Sequence, residues 1–155
     1  MRFIDRKSLT PPELLFDKRT DEARQEIDRW IEQSQSKGGT RRPPSSDWLD
    51  EEPNFRRQVA KEFHGCCAYC ERNTPLDDKA RQGLVSRHRP KMLAQDESGR
   101  TELTAYAWLT YDWENIIWVC SVCARLKGNN FITRNTSRPI GEPLGSKPNQ
   151  GIEGP

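Results

Sequence analysis

Four of the five cysteines in this 155-residue chain form two Cys-x-x-Cys pairs, Cys67 with Cys70 and Cys120 with Cys123. This spacing lets a tight turn direct both thiolates of a pair at one ion, and two such pairs favour tetrahedral Zn²⁺. Four thiolates leave no open coordination position. The sequence therefore predicts a structural zinc ion rather than a catalytic one.

The segment between the two pairs is far longer than the roughly 15 to 20 residues of a compact zinc ribbon. We therefore expect an inserted subdomain between the two metal-binding turns. Cys66 and His64 lie next to the first pair, and either is an alternative ligand. Because four thiolates already complete the coordination, we expect these two residues to be merely adjacent to the site.

Basic side chains cluster in the inserted segment, where residues 79 to 91 include no acidic residue. Arginine and lysine grip phosphate groups through charge and hydrogen bonds, so this stripe predicts a salt-sensitive nucleic-acid surface with little sequence preference. The alternative is an ordinary solvated charged loop. The predicted contacts are Lys79, Arg81, Arg87, Arg89 and Lys91, extended by Arg125 and Lys127 after the second cysteine pair.

The elements that must position these residues are predicted from apolar spacing and from turn residues. From Pro11 to about Gln35 the pattern predicts an amphipathic helix, or two, with Gly38-Gly39 as the stop. Residues 36–46 suit an exposed linker. A further helix is predicted around residues 50–63, with Pro53 in its first turn.

The predicted organisation is an α+β chain in three parts. Residues 1–62 form a helical N-terminal region that could dock a partner, and residues 63–132 form the zinc-stapled core. Residues 133–155 are rich in Gly, Pro, Ser and Asn and are expected to form a flexible tail.

Composition sets the outer bounds of the interpretation. Hydrophobic residues make up 33% of the chain and charged residues 31%, so the core must be small, and the net charge of +2 does not by itself demand a polyanionic partner. No apolar run is long enough for a membrane helix, and the N-terminus lacks the apolar region of a secretory signal. We expect a cytoplasmic protein, where paired cysteines bind metal instead of forming disulfides.

Several short strings, in this order, resemble the HNH endonucleases: Cys-Ala-Tyr-Cys-Glu at 67–71, Arg-Pro-Lys at 89–91, the aromatic segment 106–115 that ends in Trp-Glu-Asn, and Cys-x-x-Cys-x-x-x-Lys-Gly at 120–128. The chain looks most like the small HNH proteins that accompany SMC-like ATPases in Septu-type and retron-associated anti-phage systems. The resemblance covers about residues 63–131.

The resemblance implies a zinc-stapled ββα-metal fold and hydrolysis of DNA phosphodiesters. It implies a histidine that acts as general base on water, with Mg²⁺ or Mn²⁺ stabilising the developing charge. Asn115 matches the family's central asparagine, and His88 is the available histidine. An SMC-like ATPase is the partner that the resemblance implies.

Three positions depart from the family pattern. The acidic residue and the histidine expected four and three residues before Pro90 are Ser86 and Arg87, and Ala124 replaces the His or Asn after the second pair. His88 is one residue late, which in a strand turns a side chain to the opposite face unless a bulge intervenes. Two functions therefore compete: a nuclease with His88 as a displaced base, or an inactive HNH module that binds DNA or an ATPase partner.

Overall fold

The computed structural model describes residues 9–37, 42–76, 83–95 and 101–131. The helices are α1 (Lys18–Lys37), α2 (Asp47–Asp50), α3 (Pro53–Glu62) and α4 (Ser121–Lys127), with short 3₁₀ turns at Glu13–Phe16, Ala107–Leu109 and Trp113–Asn115. The strands are β1 (Gly83–Arg87), β2 (Ala94–Gln95), β3 (Thr101–Glu102) and β4 (Ile116–Cys120). The predicted α+β class is confirmed.

The N-terminal helices follow the predicted apolar spacing. A 3₁₀ turn precedes α1, and the Asp17 carboxylate accepts a hydrogen bond from the amide of Thr20 at 2.7 Å, which caps the start of the helix. Helix α1 extends to Lys37, two residues into the segment predicted as linker. Helix α3 begins at Pro53 as predicted, because a proline costs no hydrogen bond in a first turn.

The central sheet consists of two antiparallel strands, β1 and β4, paired in register from Gly83 opposite Cys120 to Arg87 opposite Ile116. Every residue of β4 is buried, as its uninterrupted apolar sequence requires. The chain passes directly from β4 into α4, so the second cysteine pair lies at this junction. A second small sheet pairs β2 with β3.

One hydrophobic core joins the N-terminal helices to the cysteine-bearing segment. Its largest buried side chains come from both sides of the predicted boundary at residues 62 and 63, and include Leu15, Trp30, Leu49, Phe55 and Trp118. Arg24 of α1 also donates a hydrogen bond to the carbonyl of Tyr111. The helices are therefore packed into the same core as β4, and they brace the strand that leads to the second cysteine pair.

Some predictions fall on parts of the chain outside the described residues. These include Lys79, Arg81, the Gly38-Gly39 stop and the tail at residues 133–155. Within the described ranges, no helix combines the length and apolar character needed to cross a bilayer.

Candidate functional site

The four predicted metal ligands converge on one point. The sulfur atoms of Cys67, Cys70, Cys120 and Cys123 all lie within 4.8 Å of one another, and the Cys70 and Cys120 sulfurs are 3.8 Å apart. Tetrahedral coordination with Zn–S bonds near 2.3 Å would place the sulfurs about 3.8 Å apart. The tetrad could therefore hold a metal ion, and its geometry is compatible with structural zinc.

Backbone hydrogen bonds fix both turns that carry the cysteines. In the first turn the Ala68 amide donates to the carbonyl of Trp118 in β4, and the Glu71 amide donates to the carbonyl of Cys67. In the second, the Cys120 sulfur accepts from the amide of Cys123 at 3.4 Å and so caps α4. Strand β4 thus contacts the first turn and directly supplies the second.

Cys66 and His64 remain outside the tetrad. The Cys66 thiol lies 3.5 Å from the carbonyl oxygen of His64, and neither residue joins the ligand cluster. This arrangement agrees with the expectation that the two residues are merely adjacent to the site.

The metal-free thiols have unequal acidities. Burial alone would raise the pKa of the Cys67 thiol, but the backbone amides of Cys70, Cys120 and Tyr69 outweigh it and lower that pKa to about 6. Burial and the neighbouring cysteines raise the pKa of Cys123 to about 12. A bound metal ion would stabilise the thiolate forms of all four cysteines.

The side-chain amide of Asn115 acts both as a hydrogen-bond donor and as an acceptor. Its side chain is buried, its Oδ1 accepts from the Arg89 amide at 2.7 Å, and its Nδ2 donates to the carbonyls of Arg89 and Leu109 at 3.1 Å each. Its own carbonyl accepts from the amide of His88. Asn115 therefore clamps the segment that follows β1 onto the start of β4.

Arg87 forms a buried ion pair instead of an exposed phosphate contact. Its side chain is 3% exposed, Nη2 donates to the Asp50 carboxylate at 2.8 Å, and Nε donates to the carbonyl of Thr110. Lys91 shares the same carboxylate at 3.7 Å and donates to the Ser46 hydroxyl at 2.7 Å. The position where the resemblance expects a general base is therefore held by an ion-paired guanidinium.

His88 follows the last residue of β1, so strand alternation no longer fixes its direction. Its half-buried ring lies edge-on to Phe131, and Nδ1 is 3.5 Å from the Tyr69 hydroxyl oxygen. Burial, together with the positive charges of Arg89 and Lys127, lowers the pKa of His88 below its ordinary value. Both effects favour the neutral imidazole.

A cleft of about 200 Å³ opens between β1 and the end of α4. We call it the basic cleft; its polar lining residues are Asp50, Ser86, Arg87, Lys91, Lys127 and Asn129. Arg89 and Arg125 are exposed, and neither they nor His88 line the cleft. Of the predicted nucleic-acid contacts that the structure describes, three thus meet in the cleft and two lie outside it.

The cysteine tetrad is the one cluster of at least three candidate metal-ligating side chains found in the described ranges. The Asp112 carboxylate, close to Asn115 in sequence, serves the local turn instead, since it accepts from the amide of Glu114 at 2.7 Å. A catalytic metal ion at His88 would therefore have to be bound by fewer than three of these side chains, together with other ligands.

Sequence reasoning missed Asp50, Ser46 and Thr110, the partners of Arg87 and Lys91. No local motif marks them, because Asp50 lies 37 residues before Arg87 in a four-residue helix. One signal was available: an arginine on a strand that pairs with an all-apolar strand is expected to be buried, and a buried arginine requires an acceptor.

In comparisons with known proteins, no family model, no curated protein and no solved structure matches this chain. The functional argument therefore depends on the residues and on their geometry.

Proposed function

We propose that this chain is a non-catalytic nucleic-acid-binding module on a zinc-stapled, HNH-like core. The observation that carries the proposal is the buried Arg87–Asp50 ion pair. An arginine keeps its proton at physiological pH, so a guanidinium in the place of the general base cannot accept one from water. Ser86 and Ala124, at the expected ligand positions, provide neither a carboxylate nor an imidazole.

The charges around the site support binding to phosphate backbones. Arg89 and Arg125 are exposed. Lys91 and Lys127, each two residues further along the chain, line the basic cleft. Such contacts position a strand through its phosphates and carry no base specificity. DNA is the expected polymer because of the resemblance, and zinc is the proposed occupant of the tetrad.

The test is retention of plasmid and linear DNA by the purified zinc-loaded protein over a salt series. We expect binding that weakens steeply with salt, and no nicking with Mg²⁺, Mn²⁺ or Ni²⁺. Arg89→Gln and Arg125→Gln should weaken binding to all sequences alike, whereas Arg57→Gln, on the exposed face of α3, is the matched control. Absence of retention even at low salt would overturn the proposal.

A second candidate function, a metal-dependent DNA endonuclease with His88 as general base, is favoured by one observation. His88 lies within the segment that Asn115 clamps, and its lowered pKa favours the unprotonated imidazole that a general base requires. Mg²⁺ or Mn²⁺ would supply the charge stabilisation. Nicking by the wild type that disappears in His88→Ala, with an unchanged circular dichroism spectrum, would establish this function.

An SMC-like ATPase partner and a role in anti-phage defence are proposed from the resemblance. Deleting the N-terminal helices is a poor test, because they pack into the shared core. Phe16 is 66% exposed at the start of this region. Loss of ATPase co-purification in Phe16→Ser, but not in Leu126→Ser on α4, would support docking through the N-terminal region; retention in both would contradict it.

A further inference from the structure

The buried guanidinium of Arg87 has one nitrogen without a partner. Nε donates to Thr110 and Nη2 to Asp50, but Nη1 is buried and has no hydrogen-bond acceptor among the described residues. Leaving a charged donor buried and unpaired costs free energy, so such a group normally has an acceptor. Arg87 lines the basic cleft, where a ligand could provide that acceptor.

The charges that line the basic cleft do not balance. Arg87, Lys91 and Lys127 face a single carboxylate, Asp50. Both oxygens of this carboxylate are engaged: Oδ1 by Arg87, and Oδ2 by the Ser46 hydroxyl at 2.9 Å and by Lys91 at 3.7 Å. Among the lining residues three are cationic and one is anionic, and Asp47 also acts on Lys91 from outside the lining, so the cleft keeps a net positive charge for a ligand.

Both lysines are partly dehydrated in the cleft. Burial is the largest cause that lowers the pKa of Lys91, although Asp50 partly restores it, and burial lowers the pKa of Lys127. A bound anion would favour the charged form of both ammonium groups. The Lys127 ammonium already donates to the carbonyl of Gly128 at 3.2 Å, which holds it at the end of α4.

The size of the cleft restricts its ligand to a small group. Its volume of about 200 Å³ is below the roughly 300–1,000 Å³ of pockets that bury drug-sized ligands. A whole nucleotide would not be enclosed, whereas one phosphoryl group with several acceptor oxygens would be. A phosphate monoester carries about −1.5 to −2 charges near neutral pH, and a phosphodiester carries only one.

We propose that the basic cleft binds a phosphate monoester, with Arg87, Lys91 and Lys127 as its cationic contacts and no metal ion. Under the proposed function, on which this inference rests for the source of the ligand, the group is the terminal phosphate of a nucleic-acid strand. A free nucleotide or inorganic phosphate has the same chemistry and is the other source.

Titration calorimetry with inorganic phosphate, at constant ionic strength in chloride, tests the cleft itself. We expect saturable 1:1 binding to the zinc-loaded wild type, and affinity lowered about tenfold or more in Lys127→Gln, since a charge-assisted contact is lost. Lys61→Gln, on the exposed face of α3, is the matched control and should bind like the wild type. Undetectable phosphate binding, or equal losses in both variants, would overturn the proposal.

Single-stranded oligonucleotides with a 5′-phosphate, a 3′-phosphate or two hydroxyl ends identify the source. Tighter binding of a phosphorylated end, abolished in Lys127→Gln, would assign the cleft to strand ends. Phosphate binding without end preference would assign it to free phosphate or nucleotides and overturn the strand-end assignment. Retention of the hydroxyl-ended oligonucleotide depends on the proposed function alone, so the two failures are distinguishable.

Discussion

Asn115 links the segment after β1 to the start of β4 through three side-chain hydrogen bonds and through its own carbonyl, which accepts from the amide of His88. The side-chain Oδ1 and Nδ2 atoms bind only backbone groups in these three hydrogen bonds. Such a residue can be retained for its structural role alone, whether or not a reaction occurs nearby. Its position in the family pattern is consequently weaker evidence for catalysis than for the fold.

We expect Asn115→Ala to reduce the free energy of unfolding by about 2–4 kcal/mol, because it leaves the buried polar groups of Arg89 and Leu109 unpaired. Urea denaturation followed by tryptophan fluorescence measures this loss. Asn54→Ala, on the exposed face of α3, is the matched control and should stay within about 0.5 kcal/mol of the wild type. A stability loss no larger than that of the control would show that the clamp contributes little.

His88 should make stability depend on pH. Its folded-state pKa is lowered below the unfolded value of about 6.5, so the folded state binds the proton less readily. The resulting destabilisation is absent well above pH 6.5 and grows as the pH falls through that value, because the unfolded state takes up the proton first. Between pH 7.5 and 5.5, His88→Gln should therefore lose less stability than the wild type.

The measurement is the urea midpoint of both proteins across this pH range. Asn54→Ala, an exposed substitution that removes no titratable group, is the control and should keep the wild-type pH dependence. Parallel curves for His88→Gln and the wild type would contradict the assigned environment of His88.

The backbone of Gly83 at the start of β1 packs closely against the ring of Trp118 in β4. A Cβ atom at Gly83 would lie 2.0 Å from Cζ2 of Trp118. The Trp118 ring is fully buried, its Nε1 donates to the Thr74 hydroxyl at 2.8 Å, and the Arg56 guanidinium lies 5.5 Å from its centroid. The ring is thus fixed by hydrogen bonding as well as by packing and cannot easily move aside.

Gly83→Ala is accordingly expected to destabilise the protein by about 3 kcal/mol, since an overpacked core must shift a ring or a strand. Thermal or urea unfolding would measure the change. Ser86→Ala adds no atoms to the same strand and should cost less than about 1 kcal/mol. Equal effects in the two variants would indicate that β1 can move away from Trp118 at little cost.

The sequence was most informative where spacing alone determines geometry. Each Cys-x-x-Cys pair and the start of α3 at Pro53 depend on neighbours within one turn, and the preference of one ion for four thiolates predicted that the two pairs converge. It was least informative for Arg87, whose environment depends on a residue 37 positions away. A charged stripe in a sequence does not reveal which of its members will be buried, since this depends on tertiary packing.

At the scale of the whole molecule, the metal site and the helical core are expected to unfold together. Strand β4 begins directly after Asn115 and ends at Cys120, and it packs against the N-terminal helices through Trp118. Without a bound ion, the tetrad would bring together at the edge of this core a Cys67 thiol of lowered pKa and a Cys123 thiol of raised pKa.

We therefore expect chelation, or Cys70→Ser, to abolish cooperative thermal unfolding and to expose hydrophobic surface to a fluorescent dye, because metal binding and folding are coupled. Cys66→Ser, which lies outside the tetrad, should retain a cooperative transition and one bound zinc ion by metal analysis. A cooperatively melting, metal-free Cys70→Ser protein would contradict a structural role for the ion.

The Asp50 carboxylate has two opposing effects: it stabilises the free protein, and it lowers the affinity of the proposed cleft for anions. While Asp50 neutralises Arg87 and Lys91, the fold is stable alone, but an incoming anion competes with it for the same donors. Asp50→Asn would remove that competitor and leave the guanidinium without its charged partner. The variant protein should thus become conditionally stable, with a melting temperature that rises with added phosphate far more than that of the wild type.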